Sequence, residues 1–282
     1  MESEGRYSVS LVCQALGVSR AAYYKAEHKE CRKQEISSDE RELMNRINGI
    51  LREYPEFGYR RVWARLRYGK NPIKINRKRV QRLMQKYNLQ AKVKTYDAPR
   101  KKHTGKVEVS ISDLLWGTDM TKIWCGNDGW ANLFAVIDHC DREIVGFRFS
   151  KDARADRAKE ALDEAVIYRF SSPLAVPIDL ELRTDNGSQF GARVFKAEID
   201  RLNITLTNTA YRSPQGNAII ERFFRTLKEE CVWQHSFESF EEAERVITEW
   251  IKYYNNERMH SRLGYKSPRQ FREEQSLRKN VA

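Results

Sequence analysis

Apolar positions recur at helical spacing as far as about residue 90 and give way to strand-like runs from about Ser112. Residues 8–25 read as helix, tight turn, helix. Leu11 and Ala15 lie one turn apart, Gly17 supplies the turn, and Ser19 is placed to cap the second helix. Ser38 opens a longer helix carrying Leu43, Ile47, Ile50 and Leu51, which Pro55 and Gly58 end. Residues 59–67 predict a short amphipathic helix with Val62, Trp63 and Leu66 inward and Arg60, Arg61 and Arg65 outward. After a turn over residues 69–72, residues 76–87 place Val80, Leu83, Met84 and Tyr87 in one stripe. The wet face of that segment carries Arg77, Lys78, Arg79, Arg82 and Lys86. Two basic helices across a turn fit a DNA-contacting helical module.

Residues 92–106 have no apolar periodicity, contain Pro99 and Gly105, and are rich in basic residues, Lys92 and Lys94 among them. They predict a linker that orders on DNA. Strands follow over 114–119, 130–138 and 143–150, then a helix over 153–170, a strand over 178–184, a helix over 192–202 and a short strand over 204–208. Helices over 217–231 and 240–254 come next, and residues beyond about Ser267 read as a polar tail. Strands first, then alternating helix and strand, specify an α/β layer fold with a mixed sheet. The predicted boundaries are 1–36 for the helix-turn-helix-like segment, 37–91 for the basic helical module, 92–111 for the linker, 112–270 for the α/β core and 271–282 for the tail.

Charge sharpens this division. The net charge is +12, with 26 Lys and Arg against 12 Asp and Glu in residues 1–112. Between Gly58 and Lys106 there are 17 basic residues and one acid, Asp97. Such a stretch repels itself until a polyanion neutralises it, and nucleic acid bound this way releases steeply with salt. No run approaches the roughly 18 apolar residues of a membrane helix, and the Met1-Glu2-Ser3-Glu4 start lacks the layout of a signal peptide. Five scattered cysteines favour a reducing, cytoplasmic setting over a disulfide framework. Their spacing to histidine predicts no zinc module.

Three acids stand out. Asp119 closes the apolar run that begins at Leu114, Asp185 closes the run that begins at Ile178, and Glu221 lies in the helix that follows. Carboxylates on two adjacent strand ends and one nearby helix suit a pair of Mg²⁺ ions acting on a phosphodiester. Each has a structural alternative. Asp113 competes with Asp119 but reads as a strand-start residue, Asp185 can open the Asp185-Asn186-Gly187 turn, and Glu221 can be a surface acid like Glu229 or Glu230. Asn186 and Gln215 are candidate polar supports beside the site. Arg225 lies one turn beyond Glu221 and Lys228 two turns beyond, both placed to hold flanking phosphates. Trp116, Trp124 and Trp130 read as core or sheet-face residues. His139 and Cys140, adjacent at a strand end, make a poor metal pair.

The blocks Trp116-Gly117-Thr118-Asp119-Met120-Thr121, Arg183-Thr184-Asp185-Asn186-Gly187-Ser188-Gln189-Phe190 and Ser213-Pro214-Gln215-Gly216-Asn217-Ala218-Ile219-Ile220-Glu221-Arg222 resemble the catalytic core of retroviral-integrase-like transposases. Tyr253-Tyr254-Asn255-Asn256 and Gly264-Tyr265-Lys266-Ser267-Pro268 extend the likeness. Phe57-Gly58-Tyr59-Arg60-Arg61 and residues 76–84 resemble the helical module of bacterial transposases of the insertion sequence three family. The resemblance spans roughly residues 8–275.

It implies a ribonuclease-H-like five-stranded sheet flanked by helices, preceded by small all-α modules. It also implies that Asp119, Asp185 and Glu221 bind two Mg²⁺ or Mn²⁺ ions. The implied activity is DNA transposition: end cleavage and attack of a 3′-hydroxyl on a phosphodiester, through a circularised, copied-out intermediate. The implied partners are terminal inverted repeats, target DNA and a second copy of the chain in a dimer or larger synaptic assembly. With no leucine-heptad segment before the basic module, the chain reads as a downstream-frame product that works with an upstream-frame partner or fusion, in the bacterial cytoplasm near the nucleoid. The rival readings are a DNA-binding regulator with an inert core, and a nuclease or resolvase on the same fold.

Overall fold

The computed structural model describes residues 8–24, 38–91, 109–185, 187–208 and 217–279. The chain divides into two compact units, Met1–Lys92 and Val93–Ala282. The linker residues 92–108, including Lys92 and Lys94, lie outside the described residues, as do Asn186 and Gln215.

In the first unit, α1 (Val9–Ala15) is capped by the Ser8 side chain, and Gly17 takes a left-handed φ of 63°. Residues 20–24 are again helical, with the Ser19 hydroxyl accepting the Ala22 N–H at 3.1 Å. A three-helix cluster follows, formed by α2 (Ser38–Glu53), α3 (Tyr59–Tyr68) and α4 (Arg77–Lys86). Leu43, Ile47, Phe57, Val62, Leu66, Val80, Leu83 and Met84 make its core, where one buried Leu is worth ~2–5 kcal/mol. Trp63 lies at the edge and donates its indole N–H to the Ile75 carbonyl at 2.9 Å, which satisfies the one polar atom it brings inward. The Asn76 side chain caps α4 by accepting the Lys78 N–H at 2.9 Å.

The second unit is a five-stranded mixed sheet in the order β3-β2-β1-β4-β5. Its strands are β1 (Leu115–Trp124), β2 (Trp130–Asp138), β3 (Ile144–Ser150), β4 (Glu181–Thr184) and β5 (Thr205–Asn208). β1 is antiparallel to β2 and parallel to β4, and β4 is parallel to β5. One face is covered by α5 (Ala155–Phe170) and α7 (Arg193–Arg201) through Trp116, Phe134, Leu162, Leu182 and Phe195. Gly146 on β3 allows α5 to approach, since a Cβ there would sit 2.3 Å from the Ala161 carbonyl oxygen. The other face is covered by α8 (Ala218–Glu230) and α9 (Phe240–Asn256) through Ile123, Leu133, Ala135, Phe223, Leu227 and Ile247.

Several boundaries differ from the pattern-based expectation. β1 does not stop at Asp119 but runs on to Trp124, because Thr121 and Ile123 alternate inward while Lys122 and Trp124 point to solvent. Asp119 is therefore a mid-strand residue. Residues 178–179 form a turn, with Ile178 83% exposed, and β4 starts only at Glu181. The helix expected over 192–202 is split into a single turn, α6 (Ser188–Gly191), and α7, with Ala192 extended between them. The expected polar tail is helix α10 (Pro268–Lys279), so the core does not end at 270. Polar contacts hold it: Arg272 pairs with buried Glu143 at 2.8 Å, and the Gln275 amide donates to the Ser110 carbonyl at 3.4 Å. His139 and Cys140 lie in the turn after β2 and are both buried, so strand alternation does not govern where they point.

Candidate active site

Strand parity brings the acids to one side. Trp116 on β1 and Leu182 on β4 face α5, so Gly117, Asp119, Arg183 and Asp185 face α8. The parallel register ends on the pair Gly117 and Arg183; Asp119 lies two residues beyond on β1, and Asp185 two residues beyond Arg183, just past the end of β4 at Thr184. Neighbouring strands lie about 4.8 Å apart. Glu221 occupies the first turn of α8 on the same side. The Asn217 amide at the start of α8 donates to the Thr118 carbonyl at 3.1 Å, which ties the helix to β1 one residue before Asp119.

The threonine before each aspartate is an anchor. The Thr118 hydroxyl donates to the Ala135 carbonyl at 3.0 Å and the Thr184 hydroxyl to the Asn208 side-chain oxygen at 2.9 Å, and both threonines are buried. The repeated Thr-Asp pair after an apolar run was the signal for these supports, which the sequence reading did not single out. It also missed His139 and Asn217. The His139 ring lies over Gly117, where a Cβ would fall 2.7 Å from His139 Nε2 and 3.1 Å from Asn217 Oδ1, so only glycine fits. Neither His139 ring nitrogen nor Asn217 Oδ1 has a hydrogen-bond partner among the described residues. Burial, with Arg142 and Arg183, lowers His139 to about 3, so its ring is neutral.

The three acids interact electrostatically. Burial raises the Asp119 carboxyl, the Met120 N–H opposes the rise at 2.7 Å, and Asp185 and Glu221 add to it, leaving Asp119 at about 6. Burial also raises Glu221. Asp185 accepts the Gly187 N–H at 2.9 Å, so its use in the turn is realised alongside its place in the cluster. Among the described residues no group of three or more His, Cys, Asp or Glu side chains is placed to hold a metal ion by itself, the trio of Asp119, Asp185 and Glu221 included. Mg²⁺ is ordinarily held by one or two carboxylates together with waters and substrate phosphates, and all-oxygen donors on neighbouring strands suit that mode.

A pH dependence follows from Asp119. Its folded-state value lies above the ~3.9 of an unfolded chain, so the folded protein binds the extra proton between roughly pH 4 and 6. The stability this group contributes is present below the lower value and lost as pH rises through about 6. The melting temperature of metal-free protein is expected to fall across that window, by no more than ~3 kcal/mol of stability. Asp119→Asn should flatten the profile. A wild-type profile already flat from pH 4 to 6 would contradict the shift.

The basic residues are placed less uniformly. Arg77, Lys78, Arg79 and Arg82 are exposed on α4, and Arg77, Lys78 and Arg82 make no ion pair among the described residues. Lys86 is exposed on the same helix and pairs with Glu40 of α2 at 2.6 Å. Arg60 lies over the Tyr59 ring, Arg61 over Phe57 and Arg65 over Tyr54. Arg225 pairs with Glu229 one turn on, at 2.8 Å. Lys228 borders a groove with Lys122, Trp124, Trp130 and Trp233. Asp113 fills its expected structural place, accepting from the Trp116 indole at 3.2 Å.

A mixed five-stranded sheet in this order, with acids on its two central parallel strands and on the covering helix, defines the ribonuclease-H-like class of integrase cores. Residues 110–214 and 202–268 match integrase core domain families, and residues 38–96 match an HTH-like domain family. The helix-turn-helix likeness thus falls on α2–α4 and the segment after them. Transposase InsD for insertion element IS2D of Escherichia coli (strain K12) is 32% identical over 276 residues, covering 94% of this chain and 91% of that protein. The chain belongs to the bacterial insertion-sequence transposases with an integrase core. A chain from the cryo-EM structure of the simian T-cell lymphotropic virus intasome in complex with PP2A regulatory subunit B56 gamma has the same fold. It superposes with a TM-score of 0.50 at 13% identity, over 70% of this chain and 67% of that one.

Proposed function

We propose that the chain is a divalent-metal-dependent DNA transposase whose reaction is carried by Asp119, Asp185 and Glu221. The observation that supports this most is the convergence of the three acids on one side of the sheet, where each of the other two raises the carboxyl of Asp119. Asp119, Asp185 and Glu221 would hold the two Mg²⁺ or Mn²⁺ ions, with Asp119, on the central strand, shared and Asp185 and Glu221 each serving one. Bound there, the ions would supply a lowered pKa for the attacking water or 3′-hydroxyl and neutralise charge on the leaving oxygen. The protein's own part is to hold the segments that carry the carboxylates in place. Thr118, Thr184 and Asn217 do this through their hydrogen bonds to neighbouring strands. Element ends are cleaved and joined by way of a circularised, copied-out intermediate. Because two ends must meet, the working form is a dimer or larger assembly, with an upstream-frame partner or fusion completing end recognition, in the cytoplasm at the nucleoid.

The helical module supplies the electrostatic grip on DNA through Arg60, Arg61, Arg65, Arg77, Lys78, Arg79 and Arg82. Lys92, Lys94 and Lys86 lie further along the same basic stretch, and Arg225 and Lys228 act within the core. Arg77→Ala, Lys78→Ala and Arg82→Ala are expected to weaken binding alike on every duplex sequence. Each should reduce the slope of log affinity against log salt by about 0.9 for every phosphate that is no longer neutralised. An unchanged slope in the triple variant would remove α4 from the interface. The activity itself is tested with Mg²⁺ or Mn²⁺ and a labelled duplex carrying inverted-repeat ends. Metal-dependent joined products support the proposal. Retarded DNA without cleavage supports a regulator, and cutting without joining a nuclease.

A further inference from the structure

Trp124 and Trp130 stand opposite each other at the tip of the β1–β2 hairpin, 53% and 59% exposed, with ring centroids 5.3 Å apart at 72°. Trp233, just beyond α8, is 57% exposed. The three indoles border one groove of about 510 Å³ with Lys122 and Lys228, and among the described residues no Asp or Glu lines it. Burial is the default for residues this large, so three exposed tryptophans in one groove mark a contact surface. Its position relative to the acids is fixed by the chain. Lys228 is seven residues beyond Glu221 on the same helix face, about 10 Å along it, while Lys122, three residues and about 10 Å beyond Asp119, points to the opposite side of the strand.

We propose that this groove binds unpaired nucleotides of the DNA strand that flanks the reacting phosphodiester, with bases stacked on Trp124, Trp130 and Trp233 and phosphates met by Lys122 and Lys228. A duplex keeps its base faces stacked on one another, so indoles reach them only where the strand is unpaired. Ten ångströms is about three stacked nucleotides at 3.4 Å each, which places the groove within one short flap of the acids. A second copy of the chain is a poorer occupant. A two-fold contact centred here sets Lys122 and Lys228 near their own copies, with no lining acid among the described residues to offset them.

The inference rests on reading the core as a DNA strand-transfer site, and it is tested by binding alone. Full-length protein without metal is titrated, by fluorescence anisotropy, with a blunt duplex and with the same duplex carrying a short unpaired tail. Wild type is expected to bind the tailed duplex more tightly and to lose indole fluorescence only with it. Trp124→Ala with Trp130→Ala should cost about tenfold or more in tailed-duplex affinity, with blunt-duplex affinity and melting temperature unchanged. The double Phe variant, which keeps two stacking faces, should recover most of the loss. Equal binding of both duplexes by wild type overturns the proposal, as does a double Ala variant that binds the tail like wild type. A double variant that turns monomeric with tail affinity intact makes the groove an interface between copies and overturns it too. If the Ala variant melts early, the wild-type quenching and the Phe variant decide. Joining that survives Asp185→Asn would instead refute the active-site reading and leave the binding result standing.

Discussion

Asp185→Asn is expected to abolish strand joining while DNA affinity stays near that of wild type. The substitution keeps the shape of the side chain and its acceptance from the Gly187 N–H. It removes one of the anionic charges that draw divalent cations to the end of β4. Metal stabilisation of a phosphoryl transition state is worth several kcal/mol, so losing it costs about 10³-fold or more in rate. The basic groups offered to DNA in the helical module are untouched, so a gel shift is expected to look unchanged. Asp119→Asn and Glu221→Gln should behave alike. A conservative exchange at a surface acid such as Glu229 should not, because Glu229 pairs with Arg225 on the helix surface. Joining by Asp185→Asn within about tenfold of wild type would exclude Asp185 from the chemistry.

The largest effect on stability is expected at Arg169, at the end of α5. Its side chain is 1% exposed and meets Asp141 at 2.6 Å, Asp113 at 3.0 Å and Glu143 at 3.0 Å, with Asp138 at 3.8 Å. Burial alone would lower its pKa, but the surrounding carboxylates raise it and keep it charged. Removing the cation strands acids on the approach to β1 and around the β2–β3 turn, and one of them, Glu143, also pairs with Arg272 of helix α10. Arg169→Ala should cost ~3–5 kcal/mol, the range for breaking a buried pair from one side. For a unit of this size that corresponds to a loss of roughly 6–20 °C in melting temperature. Joining should fail at lower temperature in parallel, since Asp113 fixes the start of the strand that carries Asp119. Adding Asp141→Asn and Glu143→Gln should restore part of the loss by removing the stranded charge. A melting temperature equal to wild type would show that the cluster carries no such burden.

The three acids could be proposed from the sequence because two apolar runs each lead into an Asp and a third acid lies in the first turn of an amphipathic helix. The alternation on β1 and the stripe on α4 fixed what faces inward. The ion cluster around Arg169 was not legible. Its members are spread from Asp113 to Arg272, and single residues do not announce partners that far apart in sequence. Helix α10 was misread as a tail for the same reason, because ion pairs and amide hydrogen bonds hold it where an apolar stripe was sought. The Trp124–Trp130 pair was taken for sheet-face packing. Sequence pattern does not say which side chains at the end of a hairpin are left exposed. Lys86 read as a free cation until Glu40, on a different helix, came within reach of it.

The most direct measurement is a crystal structure of the chain soaked in Mn²⁺, read by anomalous scattering. The expected result is metal density bounded by the carboxylates of Asp119, Asp185 and Glu221, absent from the same crystals of Asp185→Asn. Manganese bound elsewhere in the core, with those three carboxylates left apart at saturating metal, would contradict the account.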